Sequence, residues 1–413
     1  MSKALGMRCV WGLCGVLMSV LALASVTRAE VSTDVSGSVL VFPKVVWTGG
    51  SSATSRDTVI QISNTSNNMV HAHCFYVNAQ TFNGVPLWQV TDFTIWLTRQ
   101  QPTHWVASQG RFVNPNDGLG EDGSGLDPGA IPPVPPGFQG ELKCIQTDVV
   151  GIPFGGNSLK GEMLIRSGNG DVSKANAVAI LANPDLAAND PADELLLDNT
   201  PNHDGEFNSC PNTWLLNHFV DGASNTVIED HNPIWCEGGD CPIRTYLTLV
   251  PCTQDFENAV PATVTVQFSI VNELEQIFSA STTVTCWETT RLADIDAPTG
   301  RCTETGTSCI TDDQCINTAE GFCSKASVFS LGNLGTGTAF TQITPVDLDG
   351  GVITYAEEVD FNHLDAGATQ LTNRSWAAWN PQFTGTRYDA TDPAQGGPEG
   401  GPVIDVITKP QSF

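Results

Sequence analysis

The feature that most constrains this chain is a spaced pair of landmarks that occurs twice. Pro43 and Asn64 stand 21 residues apart, and so do Pro251 and Asn272. The first pair frames GSVLVFPKVV…DTVIQISNTSNNMVHAHCFYV, and the second frames TYLTLVPCTQ…ATVTVQFSIVNELEQIF…STTVTCW. Overlaying the frames sets Val39 and Val41 on Leu247 and Leu249, and Thr58, Ile60 and Ile62 on Val266, Phe268 and Ile270. Side chains alternate between the two faces of a strand, so each set lines one face, and the phase of burial agrees in both copies. Each copy reads as three β-strands. The expectation is a repeated strand unit, with Val39, Val41, Ile60 and Ile62 sharing one core and their counterparts another.

Residues 1–29 have the parts of a secretory signal. Lys3 and Arg8 form a basic start, Val10–Val26 is apolar, and small residues precede cleavage points after Ala29 or Ala24. The apolar run is short for a membrane span, and no later stretch is apolar enough to cross as a helix. Export therefore predicts a secreted or cell-surface protein, the periplasm included, with no membrane span after cleavage. The formal charge is −27, and loss of the three basic residues of the signal moves it to −30. Such a surface repels nucleic acid, which excludes that class of partner. Eleven cysteines remain after the signal, without the CxxC or CxxCH spacings of redox, zinc or haem sites. In an exported chain they read as disulfides, with an odd thiol left over.

The remaining residues predict an all-β protein of two tandem sandwiches. The first domain, 34–183, adds strands over Phe93–Leu97, 140–147 and 159–166 to the repeated unit. Ala175–Ala182 is a short apolar run compatible with strand or helix. Residues 114–140, rich in Gly, Pro and Asp, form a long surface loop. A polar, acidic linker covers 184–208, and the second domain spans 209–413. Within it, residues 301–324 hold Cys302, Cys309, Cys315 and Cys323 in a stretch too poor in apolar residues for a core, so cross-links must shape it. These four are expected to pair among themselves, Cys236 with Cys241 across Glu-Gly-Gly-Asp, and Cys74 with Cys144.

The segments LVFP, TVIQISNTS, VHAHCFYV, DFTIWLTRQQPTHW, LVPC and VNELEQ…CW resemble immunoglobulin-like β-sandwich modules of uncharacterised bacterial exported and cell-surface proteins. The resemblance covers most of residues 36–360. It implies two immunoglobulin-like sandwiches related by internal duplication, and it carries no catalytic residues. The 301–324 stretch is similar to small cysteine-rich modules, though Cys309-Ile-Thr-Asp-Asp-Gln-Cys315 departs from their spacing.

Candidate chemistry is sparse. His71 and His73 share a strand face roughly 6.5–7 Å apart, a spacing at which two imidazoles ligate copper or zinc. Asp198, Asn202 and Asp204 before Gly205 offer oxygens for structural calcium, as do the acids around Asp117–Asp127 and Asp347–Asp349. GxSxG, HExxH and phosphate-loop motifs are absent. Trp88, Trp96 and Trp105 form one aromatic group and Trp376 and Trp379 another, either able to stack a sugar or fill a core. These features predict an exported structural or adhesive surface protein that acts through contacts with an unknown protein or cell-surface partner. The alternatives are a carbohydrate-binding module or secreted hydrolase, and a metal-binding protein using His71 and His73.

Overall fold

The structure is a computed structural model. It describes residues 31–52, 55–82, 85–112, 129–149, 151, 153, 155–182, 210–211, 213–223, 242–252, 254, 261–318, 320–346, 351–360 and 375–383. All of these belong to one compact unit, and the chain is nearly all-β, built from antiparallel sheets that pack in the manner of β-sandwiches. The signal, the linker 184–208, most of the 114–140 loop, and the Cys236–Cys241 pair lie outside the described residues.

The first half contributes nine main strands. They are β1 (Val39–Trp47), β2 (Arg56–Asn64), β3 (Val70–Asn78), β4 (Gln89–Leu97), β5 (Pro102–Val106), β6 (Phe138–Thr147), β7 (Leu159–Ser167), β8 (Val172–Asn176) and β9 (Val178–Ile180). The order is β8-β7-β2-β1-β6-β3-β4, with β5 on β2 and β9 on β1. Between β2 and β1 the ladder is a single pair, Trp47 with Asp57, so the sheet folds over there into two layers. Leu40 and Phe42 of β1, Ile60 and Ile62 of β2, Tyr76 of β3, Ile95 of β4 and Met163 of β7 fill the space between. Trp105 donates its indole N–H to the Tyr76 hydroxyl at 2.6 Å, which satisfies both polar tips inside that core. Ala175–Ala182 contains the end of β8 and all of the short strand β9, and no helix.

The second half adds β10 (Trp214–Phe219), β11 (Ile243–Pro251), β12 (Thr263–Asn272), β13 (Ile277–Thr285), β14 (Glu288–Arg291), β15 (Thr338–Pro345), β16 (Val352–Asp360) and β17 (Ser375–Trp379). One sheet runs β13-β12-β15-β10 and ends on the two-residue strand Gln382–Phe383; the other runs β14-β11-β16-β17. Leu247 and Leu249 of β11 belong to one core with Val266, Phe268 and Ile270 of β12, Trp214 of β10 and Ile343 of β15. That is the burial phase expected from the sequence.

In the first half the same expectation needs correcting. Ile60 and Ile62 are buried and Gln61 is exposed, but Val39 and Val41 do not share their core. They join the cluster of the second half, while Leu40 and Phe42 take the expected place. The cause is that β1 is buried on both faces, so alternation along it no longer distinguishes inside from outside. Its register also shifts between Phe42 and Val45, around Pro43, whose carbonyl accepts the Trp287 indole N–H at 2.7 Å. Phe75, Ile145, Val178 and Ile180 of the first half join the second-half cluster too, and Tyr355 of β16 joins the first-half core.

The residues at the two Asn positions play similar parts, and the strands that follow them differ. Asn64 and Asn272 are both buried, and each ends its strand. The Asn64 side chain accepts from the Ser66 N–H at 2.8 Å and donates to the Leu97 and Thr98 carbonyls. The Asn272 side chain accepts from the Leu274 N–H at 3.0 Å and donates to the Leu334 carbonyl. After Asn64 the chain crosses to the other layer, where β3 pairs with β6 and β4. After Asn272 a tight turn, with Glu275 at a φ of 61°, returns the chain as the β12–β13 hairpin. The short loop leaves β13 nowhere to go but the edge beside β12.

The insertion is held by Cys302–Cys315 and Cys309–Cys323, which enclose a short helix, Asp312–Ile316. Cys74–Cys144 joins β3 to β6, and Cys210–Cys252 closes the second half.

Candidate functional site

The residues singled out in the sequence do not converge. His71 is buried, with Nδ1 donating 2.8 Å to the Asp148 carbonyl, 2.7 Å from the Thr147 hydroxyl, and with its ring stacked on Trp96 at 4.2 Å. His73 is partly exposed and pairs with Asp92 at 3.1 Å. Among the described residues no further His, Cys, Asp or Glu completes a three-ligand group with them; the one such group is Cys302, Cys309 and Cys315, which are engaged in disulfides. Asp198, Asn202 and Asp204, the acids of 117–127, and Asp347 and Asp349 lie outside the described residues. Trp105 is core and Trp96 covers His71, so that group forms no open platform.

Buried charges are numerous, and they act as fasteners. Glu357 of β16 takes Lys44 and Arg56 from the first half, joining the halves through a salt-bridged trio. Burial would raise the Glu357 carboxyl, but the two cations hold it below the usual range. Lys143 meets Glu141 at 3.3 Å and hydrogen-bonds Gln254. Arg244 and Arg291 lie between Asp221 and Asp312, clamping the cysteine-rich insertion to β11 and β14. Burial opposes the charge on Asp312 as well, and the two guanidinium groups again prevail and lower it. A cleft of about 920 Å³ beside this clamp is polar, yet its Arg244 and Lys325 are bound to Asp312 and Asp294. Cys286 is the free thiol among the described cysteines. Burial, with the Glu141 charge adding to it, pushes this thiol up to about 11, which makes it a poor nucleophile.

Among the described residues, the outer face of the β13-β12-β15-β10 sheet is open to a partner. In β12, Val264, Val266, Phe268 and Ile270 point inward, so Thr263, Thr265, Gln267, Ser269 and Val271 point out. The ladders carry this phase across the neighbours. One row is Ile277, Val271, Phe340 and Asn217; the next is Ser279, Ser269, Gln342 and Leu215; a third is Ser281, Gln267 and Thr344. Thr265 faces Thr283 and Thr263 faces Thr285, with hydroxyl contacts of 2.9 and 3.0 Å. None of these outward residues is ionisable, on a chain with 45 acidic side chains. At one end a hollow of about 750 Å³ is lined by Phe219, Phe340, Val271, Ile277 and Trp379, with the carboxylates of Glu273 and Glu358 also in its wall. Glu273 stands at its rim, where the Thr338 hydroxyl and N–H donate to it and hold its carboxyl below the usual range. A second hollow of about 340 Å³ lies on the same face over Thr265, Gln267, Ser279 and Ser281.

The same sheet ends in a free edge. Strand β13, IFSASTTVT, pairs with β12 along one side and has no ladder partner on the other among the described residues. It has no charge, no proline and no register shift over nine residues. Three other sheet edges carry the usual safeguards: β8 has Lys174, β4 has Asp92, and β14 is four residues long with Glu288 and Arg291.

No family model matches the chain, and no curated protein matches it. Among solved structures, the apo form of a Pleurotus ostreatus lectin aligns over 85% of each chain at 9% identity and a TM-score of 0.13. A Broad Bean Stain Virus cryo-EM structure aligns over 85% of this chain and 98% of its own at 9% identity and a TM-score of 0.14. At those scores neither likeness carries an argument.

Proposed function

We propose that this is an exported structural or adhesive protein that works by contact, built from two immunoglobulin-like sandwiches that arose by duplication. The shared roles of Asn64 and Asn272 support the duplication, and the divergent third strand marks how far the copies have separated. The observation that carries the contact function is β13, a long edge strand without the charges that keep such edges apart. Its partner is a second copy of this chain. An antiparallel pair centred on Ser281 sets Phe278 opposite Val284, extending the apolar inner face, and Ser279 opposite Thr283, extending the hydroxyl rows. The contact is isologous, so the assembly closes as a dimer. A strand without charge also lets two acidic molecules meet where their repulsion is least, and added salt strengthens the pair by screening the rest.

The test is sedimentation of residues 30–413 and of the Ser281→Lys variant at several salt concentrations. The native chain should dimerise more strongly as salt rises, and the variant should stay monomeric with an unchanged circular dichroism spectrum. A native chain that remains monomeric at about 100 μM, far above ordinary dimer affinities, would overturn the reading.

A further inference from the structure

We propose that the outer face of the β13-β12-β15-β10 sheet binds an uncharged polysaccharide. The inference stands on the face of the sheet, so it holds whether or not the β13 edge pairs with a second copy.

Three observations meet there. The first is the absence of charge. Exposed sheet faces of soluble proteins ordinarily carry Lys, Glu and Asp, yet four adjoining strands here present only hydroxyl, amide, aliphatic and aromatic groups. An anionic glycan would meet the field of a chain with a formal charge of −27, and a cationic surface would be drawn to the acidic residues elsewhere. A neutral polyhydroxyl chain is the ligand for which the charge-free face is the best place on the molecule.

The second is the distribution of polar groups. Amides of Asn217, Gln342 and Gln267 both donate and accept, and the Ser and Thr hydroxyls do the same, which matches a ligand whose every polar group is itself a hydroxyl. The third is the hollow at one end, mostly apolar, with Glu273 and Glu358 in its wall. Phe340 and Phe219 stand on the face and Trp379 flanks it, giving flat apolar surface for the C–H face of a sugar ring. Along β12 the outward residues run from Val271 to Thr263, roughly 26 Å at the rise of a strand, long enough for several sugar rings. The aromatic end anchors the chain and the hydroxyl rows support its length.

The experiment is retention of residues 30–413 on insoluble cellulose, chitin, starch and mannan, with alginate gel as the anionic comparison. The native protein should be held by at least one neutral polysaccharide and not by alginate. Phe340→Ala and Gln342→Ala should each weaken that retention about tenfold or more, while Val172→Ala, an exposed change on β8 of the other half, should leave it unchanged. Melting curves of the variants separate loss of the site from loss of the fold. No retention on any neutral polysaccharide, equal retention on alginate, or retention unaffected by both Phe340→Ala and Gln342→Ala would overturn the inference.

Discussion

His218 offers a quantitative test of the second-half core. It lies on β10 with its ring inside the sandwich, where Nδ1–H donates 2.9 Å to the Phe219 carbonyl and Nε2 accepts from the Thr341 hydroxyl at 2.9 Å. Both nitrogens are thus satisfied in one neutral tautomer. Burial lowers its pKa from the ordinary 6.5 to about 4, although the Phe219 carbonyl and the Asp221 charge pull the other way. The group is a base whose folded value is depressed, so the unfolded chain takes up a proton over a range where the folded chain does not. Stability is unaffected above the ordinary value and is lost as the pH falls from there towards the folded value. Between about pH 7.5 and about pH 5 this single ring should remove ~2 kcal/mol, by the linkage of two pKa values 2.5 apart. The assay is urea unfolding of the native protein and of His218→Gln at both pH values. The carboxyls of buried Glu141 and of half-buried Asp57, Glu288 and Asp294, which desolvation raises, shift both proteins alike and cancel in the difference. Whatever His218→Gln costs at the higher pH, it should cost about 2 kcal/mol less at the lower one. Parallel pH dependences would show that the ring is not held neutral in the core, and would refute the placement.

Further outcomes follow from the packing. Phe268→Ala removes a fully buried ring that meets Phe329 edge-on at 5.7 Å, and should cost about 3–5 kcal/mol by thermal or urea unfolding. Asp312→Ala leaves Arg244 and Arg291 facing each other across a vacated site; a loss of about 3–5 kcal/mol is expected, with proteolysis at the insertion appearing first. Because the carboxyls of Asp312 and Glu357 are lowered, their contribution is present above the ordinary values of 3.8 and 4.5 and is lost as pH falls through the folded values. Glu357→Gln should therefore flatten the acid end of the stability curve. Thiol labelling should reach Cys286 only after unfolding, and non-reducing peptide maps should recover Cys74–Cys144, Cys302–Cys315 and Cys309–Cys323.

Strand phase was legible wherever a strand has one wet face. Thr-Val-Thr-Val-Gln-Phe-Ser-Ile in β12 alternates without exception, and its inward residues are the ones that form the core. Phase failed in β1 because both of its faces are covered, and a run such as Val39–Phe42 has no alternation to read. The same alternation concealed the fasteners. Lys44, Lys143 and Glu357 lie on strands as charged residues do when they face water, and only a partner from a distant segment makes their burial tolerable. Asp312 sat in plain view inside the Cys309–Cys315 spacing, but its guanidinium partners come from β11 and β14.

The charge-free face shows a different limit. Each of its residues is an outward position of a strand whose phase the sequence discloses, and the lack of charge in IFSASTTVT and TAFTQITP is visible by inspection. What the sequence does not disclose is that these strands are neighbours. β12 meets β13 through a local hairpin, but it meets β15 only after the insertion has intervened, and β15 then brings β10 from the other side. Uncharged positions scattered along a chain are unremarkable, since any strand has some. Aligned by three ladders into rows, on a protein this acidic, they become a surface on which like charges are kept away from whatever is bound. Selection for solubility alone has no reason to keep that face free of Asp and Glu when acidic residues are plentiful elsewhere, and selection for contact does.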